Sequence, residues 1–160
     1  MLFRSICEER EYVIVFSFSM CKETEMKYTE RDFTLELKEN IQCMEKEIER
    51  IAFKLFKDYS HLYIEKNMEL FIELIRDKEN PFETGYSSSI SIAVLDEEGK
   101  MVEFYTVPIW ECCSYFLGVP LPIRFWGSKL SGELVDESYC EIEEELKERL
   151  EEFLQFAGEE

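Results

Sequence analysis

The stretch SISIAVLDEEGKMVEFY, residues 89–105, decides the fold. Ile90, Ile92 and Val94 alternate with Ser89, Ser91 and Ala93, the period-two pattern of a strand that turns one face toward a core. Asp96, Glu97, Glu98 and Gly99 then reverse the chain, with Gly99 supplying the positive φ such a loop needs, into a second strand through Val102, Glu103, Phe104 and Tyr105. Strands joined by so short a loop pair antiparallel. The three carboxylates of the turn invite a metal or acid–base role, but an exposed turn is where unpaired acids cost least, and they are read as turn residues.

On the N-terminal side of this hairpin, Phe33, Leu37, Ile41, Met44, Ile48, Ile51 and Leu55 recur three and four residues apart and predict an amphipathic helix over 33–58, with Thr29 and Asp32 as candidate caps. Leu35 and Phe53 fall on its opposite face. Residues 61–76 fit two patterns. Met68, Leu70, Ile72 and Leu74 alternate as in a strand, whereas Ile64, Met68, Phe71, Ile72 and Ile75 suit a helix; the strand is preferred. Pro81, Gly85 and three serines mark 77–89 as a turn-rich loop.

On the C-terminal side, Pro108 is expected to end the second strand, and the apolar run 109–117 (IWECCSYFL) reads as a short buried helix. A last strand is placed at 122–126, bracketed by Gly118, Pro120 and Gly127. The closing helix, 136–157, opens with Ser138-x-x-Glu141, a capping box, and carries a stripe of Tyr139, Ile142, Leu146, Leu150, Phe153 and Ala157. At the N-terminus, residues 12–21 (YVIVFSFSMC) read as a strand apolar on both faces and are too short to cross a membrane. Glutamates precede that run where a secretory signal needs a basic leader, and residues 1–25 could lie at the periphery of the core fold or outside it, Met20 and Met26 being alternative starts. The expected architecture is one α+β domain, an antiparallel sheet of about four or five strands packed by the long helix and the acidic C-terminal helix, in the order β-α-β-β-β-α-β-α.

A chain of 160 residues that is 46% apolar, with thirteen Phe and eight Tyr, has the material for one packed core. Its net charge of −18 is unevenly spread, because residues 136–160 hold eleven acids against Lys147 and Arg149. Such a chain repels nucleic acid and anionic membrane, and its electrostatic complement is a basic protein. Six cysteines without a compact spacing point to reduced thiols and a cytoplasmic location rather than a disulfide framework. Cys112 and Cys113 could form a redox pair, but small residues filling a sheet-to-helix junction are the commoner case, and they are read that way. With one histidine, no C-x-x-C, no G-x-S-x-G, no Gly-rich phosphate loop and no H-E-x-x-H, neither a metal site, nor a cofactor, nor an enzyme is expected.

On a helical wheel Glu137, Glu141, Glu144, Glu148 and Glu151 lie opposite the apolar stripe, flanked by Glu145 and Glu152. Like charges three and four apart cost roughly 0.2–0.5 kcal/mol a pair, so this face is not arranged for the helix's own stability. It is either a solubilising face or a docking face for a cationic partner. Trp110 and Trp126, with Tyr115 and Phe125, are the candidate aromatic anchors for such a partner; core packing is the alternative for each. The function expected is that of an acidic binding protein, a monomer or homodimer, most specifically an immunity protein or antitoxin that occludes a basic, nuclease-type toxin. Two rivals share these features. One is a small acidic secretion-type chaperone, an obligate dimer through Leu35, Phe53 or the first strand. The other is a phage-type nucleic-acid mimic that disables a host defence protein.

Overall fold

In the computed structural model, residues 28–121 and 123–157 are described. The strand expected at 12–21 lies outside them, as do residues 1–25. The elements are β1 (Tyr28–Thr29), a 3-10 turn (Glu30–Asp32), α1 (Leu35–Ile64), β2 (Glu69–Arg76), β3 (Ser87–Leu95), β4 (Met101–Phe116), β5 (Val119–Leu121), β6 (Lys129–Leu134) and α2 (Tyr139–Phe156). The strands form one antiparallel six-stranded sheet in the order β1-β6-β4-β3-β2, with β5 folded back on β4.

The hairpin at 89–105 forms as its pattern predicts, Ile92 facing Tyr105 and Ala93 facing Phe104 across β3 and β4. Ile90, Ile92 and Val94 enter the main core with Leu70 and Ile72 of β2, Val107 and Ile109 of β4, Ile48, Ile51 and Leu55 of α1, and Ile142, Leu146, Leu150 and Phe153 of α2. Both helices therefore cover the same face of the sheet. Burial of each such side chain contributes about 1.5–3 kcal/mol, which is why the two apolar stripes, rather than helix propensity, fix the helices in place.

Four boundaries differ from the sequence expectation. The cap of α1 is Thr34, whose hydroxyl accepts from the Leu37 N–H (3.2 Å), while Thr29 and Asp32 cap the preceding 3-10 turn, the Thr29 N–H donating to Asp32 Oδ2 (2.9 Å). The helix continues to Ile64 and stops where Asn67 turns left-handed (φ 57°) and the Met68 N–H closes onto the Tyr63 carbonyl. So 61–76 is the end of a helix followed by a strand, and each of its two patterns describes a part. The serines of 87–89 already belong to β3.

The largest correction concerns 109–117, of which 109–116 are the second half of β4 and Leu117 opens the following turn, so that no helix forms there. Pro108 does not end the strand, because it lies beside a register shift: Ser89 faces Pro108 but Ser88 faces Trp110, and such a bulge tolerates the missing N–H. Beyond it Cys112 and Cys113, neighbours on opposite faces, are both buried, so the run is apolar on two sides as a covered strand is. The two cysteines thus sit within a strand, not at a sheet-to-helix junction. Residues 123–126 form no strand either; pairing passes instead to β5 and to β6, where Gly132 faces Cys112 and Leu134 faces Trp110.

Candidate functional site

The C-terminal helix begins where β6 leaves the sheet. The Val135 N–H donates to the Ile109 carbonyl (2.8 Å), and Ser138 then caps α2: its N–H donates to Glu141 Oε2 (2.6 Å) and its hydroxyl accepts from the Glu141 N–H (3.3 Å). Ile142, Leu146, Leu150 and Phe153 face inward, so the acids turn outward. From there α2 runs toward the C-terminal end of α1, where Tyr63 Oη donates to the Leu150 carbonyl (2.7 Å), Tyr59 Oη to Glu151 (3.0 Å) and Lys66 Nζ to the Leu154 carbonyl.

These contacts divide the acids of α2 into two groups. Glu143 is held by Lys54 (2.7 Å) and Lys147 (3.5 Å), Glu152 by Arg149 (2.6 Å), Glu151 by Tyr59, and Glu145 accepts from Tyr105, over whose ring the Arg149 guanidinium stacks at 4.6 Å. These four tie the helix to α1 and β4 or to its own neighbours. Glu137, Glu141, Glu144 and Glu148 are exposed, and among the described residues Glu144 and Glu148 have no hydrogen-bonding or ion-pair partner. Hydrogen bonds set the first titrations apart. The bond from the Ser138 N–H holds the Glu141 carboxyl below its usual range, and the bond from Lys54 does the same for Glu143. Partial burial, and then the carboxylates of Glu145, Glu141 and Asp136, raise that of Glu137.

That crowding belongs to a cleft. An open hollow of about 340 Å³ lies in the notch left where β6 departs from β4, and Glu111, Glu133, Asp136, Glu137 and Glu145 line it with Tyr105. Glu111 and Glu133 stand directly opposite each other in the β4–β6 register. Like charges so placed oppose pairing. Five carboxylates around one mouth and two unpaired ones along the adjoining helix make a continuous anionic surface. No group of three or more His, Cys, Asp or Glu side chains among the described residues is arranged to hold a metal ion.

The two tryptophans separate completely. Trp110 is 0% exposed; its indole N–H donates to the Pro81 carbonyl (2.7 Å), and its ring meets Tyr28, Phe33 and Phe82 edge-on at 5.8, 5.8 and 6.3 Å. It takes the core alternative and presents nothing to a partner. Tyr115 is buried as well. Trp126 is 98% exposed, in the turn between β5 and β6, with Phe125 beside it. It is not next to the acidic helix. The notch that opens α2 is level with Ile109, and α2 runs from there toward the Met101 end of β4, whereas Trp126 lies beyond Phe116 at the other end. Seven strand residues separate Ile109 from Phe116, about 23 Å at the usual rise.

One buried charge was not singled out from the sequence. Glu45 is 2% exposed in the middle of α1, accepting from Tyr86 Oη (2.5 Å) and Arg76 Nε (2.8 Å), so that it clamps α1 to β2 and to the start of β3. The signal was present, since Glu45 falls four residues after Ile41 and three before Ile48, inside the apolar stripe. A buried carboxylate with its hydrogen bonds made serves the packing of this corner. Burial pushes the Cys112 thiol up to about 12, so it carries no thiolate near neutrality. Among the described residues no helix is long and apolar enough to cross a membrane. Comparison with protein-family models, curated proteins and solved structures finds no match for this chain.

Proposed function

We propose that the protein is an acidic binding protein that docks a basic partner on the outer face of α2 and the adjoining carboxylate cleft. In its most specific form it is an immunity protein or antitoxin, acting in the cytoplasm and occluding a nuclease-type toxin without catalysis of its own. A protein that cleaves RNA or DNA must carry Lys and Arg to hold phosphate. Carboxylates three and four apart on a helix, about 5–6 Å between Cβ atoms, present negative charge at a spacing comparable with a phosphate backbone. The observation that supports this reading is the division of the acids: where acids of α2 meet α1, β4 or their own helix, Lys54, Lys147 and Arg149 pair with them and two tyrosines donate hydrogen bonds to them, and Glu144 and Glu148 are left outside that arrangement.

The test is affinity capture from a lysate of the protein's own source with the tagged chain and with its Glu144→Gln, Glu148→Gln variant. Glu141 is spared because it caps the helix. A basic nuclease-type protein retained by the native chain, lost by the variant and released at ~1 M salt, where the screening length falls to about 3 Å, supports the proposal. Retention of the same partner by the variant, or indifference to salt, overturns it.

A further inference from the structure

Between Glu111 and Glu133 the sequence holds no Asp or Glu, and Arg124 and Lys129 are its only charges. In a chain of net charge −18 this is a long stretch free of carboxylates. It folds into the tip formed by the β4–β5 turn and the β5–β6 connection. Leu117 and Gly118 both have positive φ (51° and 78°), the two-residue turn that suits a tight hairpin, and Phe116 faces Val119 across it. A leucine in the left-handed region is strained, and this one is 89% exposed.

Around that turn the large apolar side chains gather outward. The rings of Phe116 and Phe125 meet at 5.1 Å, and Leu117, Val119, Ile123 and Trp126 lie in the same two connections; all six are exposed. Summed over all directions, the exposed surface of these six residues is on the order of 800 Å², an upper bound for any one contact, where the largest apolar patch on a typical monomer is about 300–600 Å². A stable interface buries about 800 Å² on each partner.

The geometry points to a second copy of this chain as the occupant, the two tips packing against each other about a two-fold axis. Two observations select it over a different protein. Buried in full, the patch approaches the roughly 800 Å² that one side of a standard interface takes, and a two-fold contact presents the same patch from both sides. It is also where two chains of charge −18 meet with least repulsion: it bears no carboxylate of its own, and Glu30, which borders it, is paired with Arg124. A basic partner would be drawn to α2 instead. With the tips joined, each α2 lies about 20 Å or more from the contact, well past the roughly 8 Å screening length at physiological salt. Both acidic faces remain open.

Sedimentation of the full chain from micromolar to several hundred micromolar, with the intrinsic fluorescence followed in parallel, tests this. The mass is expected to approach twice the 19.2 kDa of the chain, with emission shifting to the blue as Trp126 leaves water while buried Trp110 gives a constant background. Trp126→Ala and Leu117→Ser should each weaken self-association by about 30-fold or more, the behaviour of interface anchors, with an unchanged far-UV circular dichroism spectrum. A monomer at every concentration overturns the inference. So does a dimer that persists in both tip variants, including one dissolved instead by Leu35→Ser or Phe53→Ser.

Discussion

The outer face of α2 and the β4–β5 tip differ in what the fold demands of them. On α2, four of the acids are claimed by α1, β4 or helix neighbours, so charge there is partly structural and only a remainder faces solvent unaccompanied. At the tip the polar groups are claimed, Arg124 by Glu30 and Ser128 by the Phe125 backbone, while the large apolar side chains are not: Phe116 and Phe125 touch each other, and Leu117 and Trp126 are 89% and 98% exposed. A charged surface is cheap to leave in water, whereas an apolar one of this size is not, and the tip is therefore the stronger sign of a missing contact. The teaching is that the density of acids in a sequence marks a surface less reliably than the failure of large side chains to find a core.

The widest separation between the two kinds of surface residue is carried by the tryptophans. Trp110→Ala is expected to cost about 3–5 kcal/mol in urea unfolding, because it empties the centre of the second core cluster and strands the Pro81 carbonyl. Measured at a concentration where the chain is monomeric, Trp126→Ala should stay within about 0.5 kcal/mol of the native chain. Similar losses for both would mean that the tip is part of the folded core, and would remove the contrast. The same pocket can be overfilled. A Cβ on Gly132 would lie 2.1 Å from the Trp110 ring, so Gly132→Ala should cost about 1–3 kcal/mol through displacement of the indole, visible as a change in near-UV circular dichroism.

Next in size is the clamp at Glu45. Glu45→Gln removes the carboxylate charge and one of the two oxygens that accept from Arg76 and Tyr86, setting an amide NH2 against one of those donors, and about 1–3 kcal/mol of stability should go with it; the Arg76 side chain is 38% exposed, which keeps the loss toward the lower end. If Glu45→Gln proves neutral, that carboxylate is not a packing element and the small hollow beside it, lined also by Gln42, Lys46 and Glu79, becomes worth probing for a ligand. Ser138→Ala follows, at about 1 kcal/mol for the lost cap of α2.

Much of this was legible from residue order, and the remainder was hidden for identifiable reasons. The hairpin, the stripe of α1 and the Ser138–Glu141 box are local patterns whose partners lie a few residues away, and they form as read. The run 109–117 depends on coverage from both sides of a sheet, and an unbroken apolar run of that length looks the same in a buried helix. Pro108 strengthened the wrong choice because a bulge, which makes it harmless, leaves no mark in the sequence. Trp110 and Trp126 are indistinguishable by type; Gly132 and Pro81, which make room and supply an acceptor for one of them, are distant in sequence from it. The outward row of α2 was visible on the wheel, but which of its acids are engaged depends on Lys54, Tyr59 and Tyr105, whose positions follow from tertiary packing alone.

The smallest expected effects test the division of the acids itself. Glu143 and Glu141 are held below their ordinary range in the folded chain, so each adds stability that is present above the unfolded value and is lost as pH falls through the folded one. Glu137 is shifted the other way: its contribution is present below the unfolded value and lost as pH rises through the folded one, so at neutral pH it is a source of strain. In urea unfolding at pH 7, Glu137→Gln should therefore be slightly more stable than the native chain and Glu143→Gln slightly less, each by a few tenths of a kcal/mol as surface charges allow. Glu137→Gln should converge on the native chain once pH falls below the unfolded carboxylate value, and Glu143→Gln only at lower pH still, below its folded value. Glu144→Gln with Glu148→Gln should act like Glu137→Gln, relieving repulsion of about 0.2–0.5 kcal/mol per pair. Stabilisation by all of the outer substitutions, together with destabilisation at Glu143, means that the fold carries an anionic face at its own expense, as a surface held for a cationic partner would be. A native chain already at its stability maximum with respect to Glu137, Glu144 and Glu148 would reduce that face to ordinary solvation.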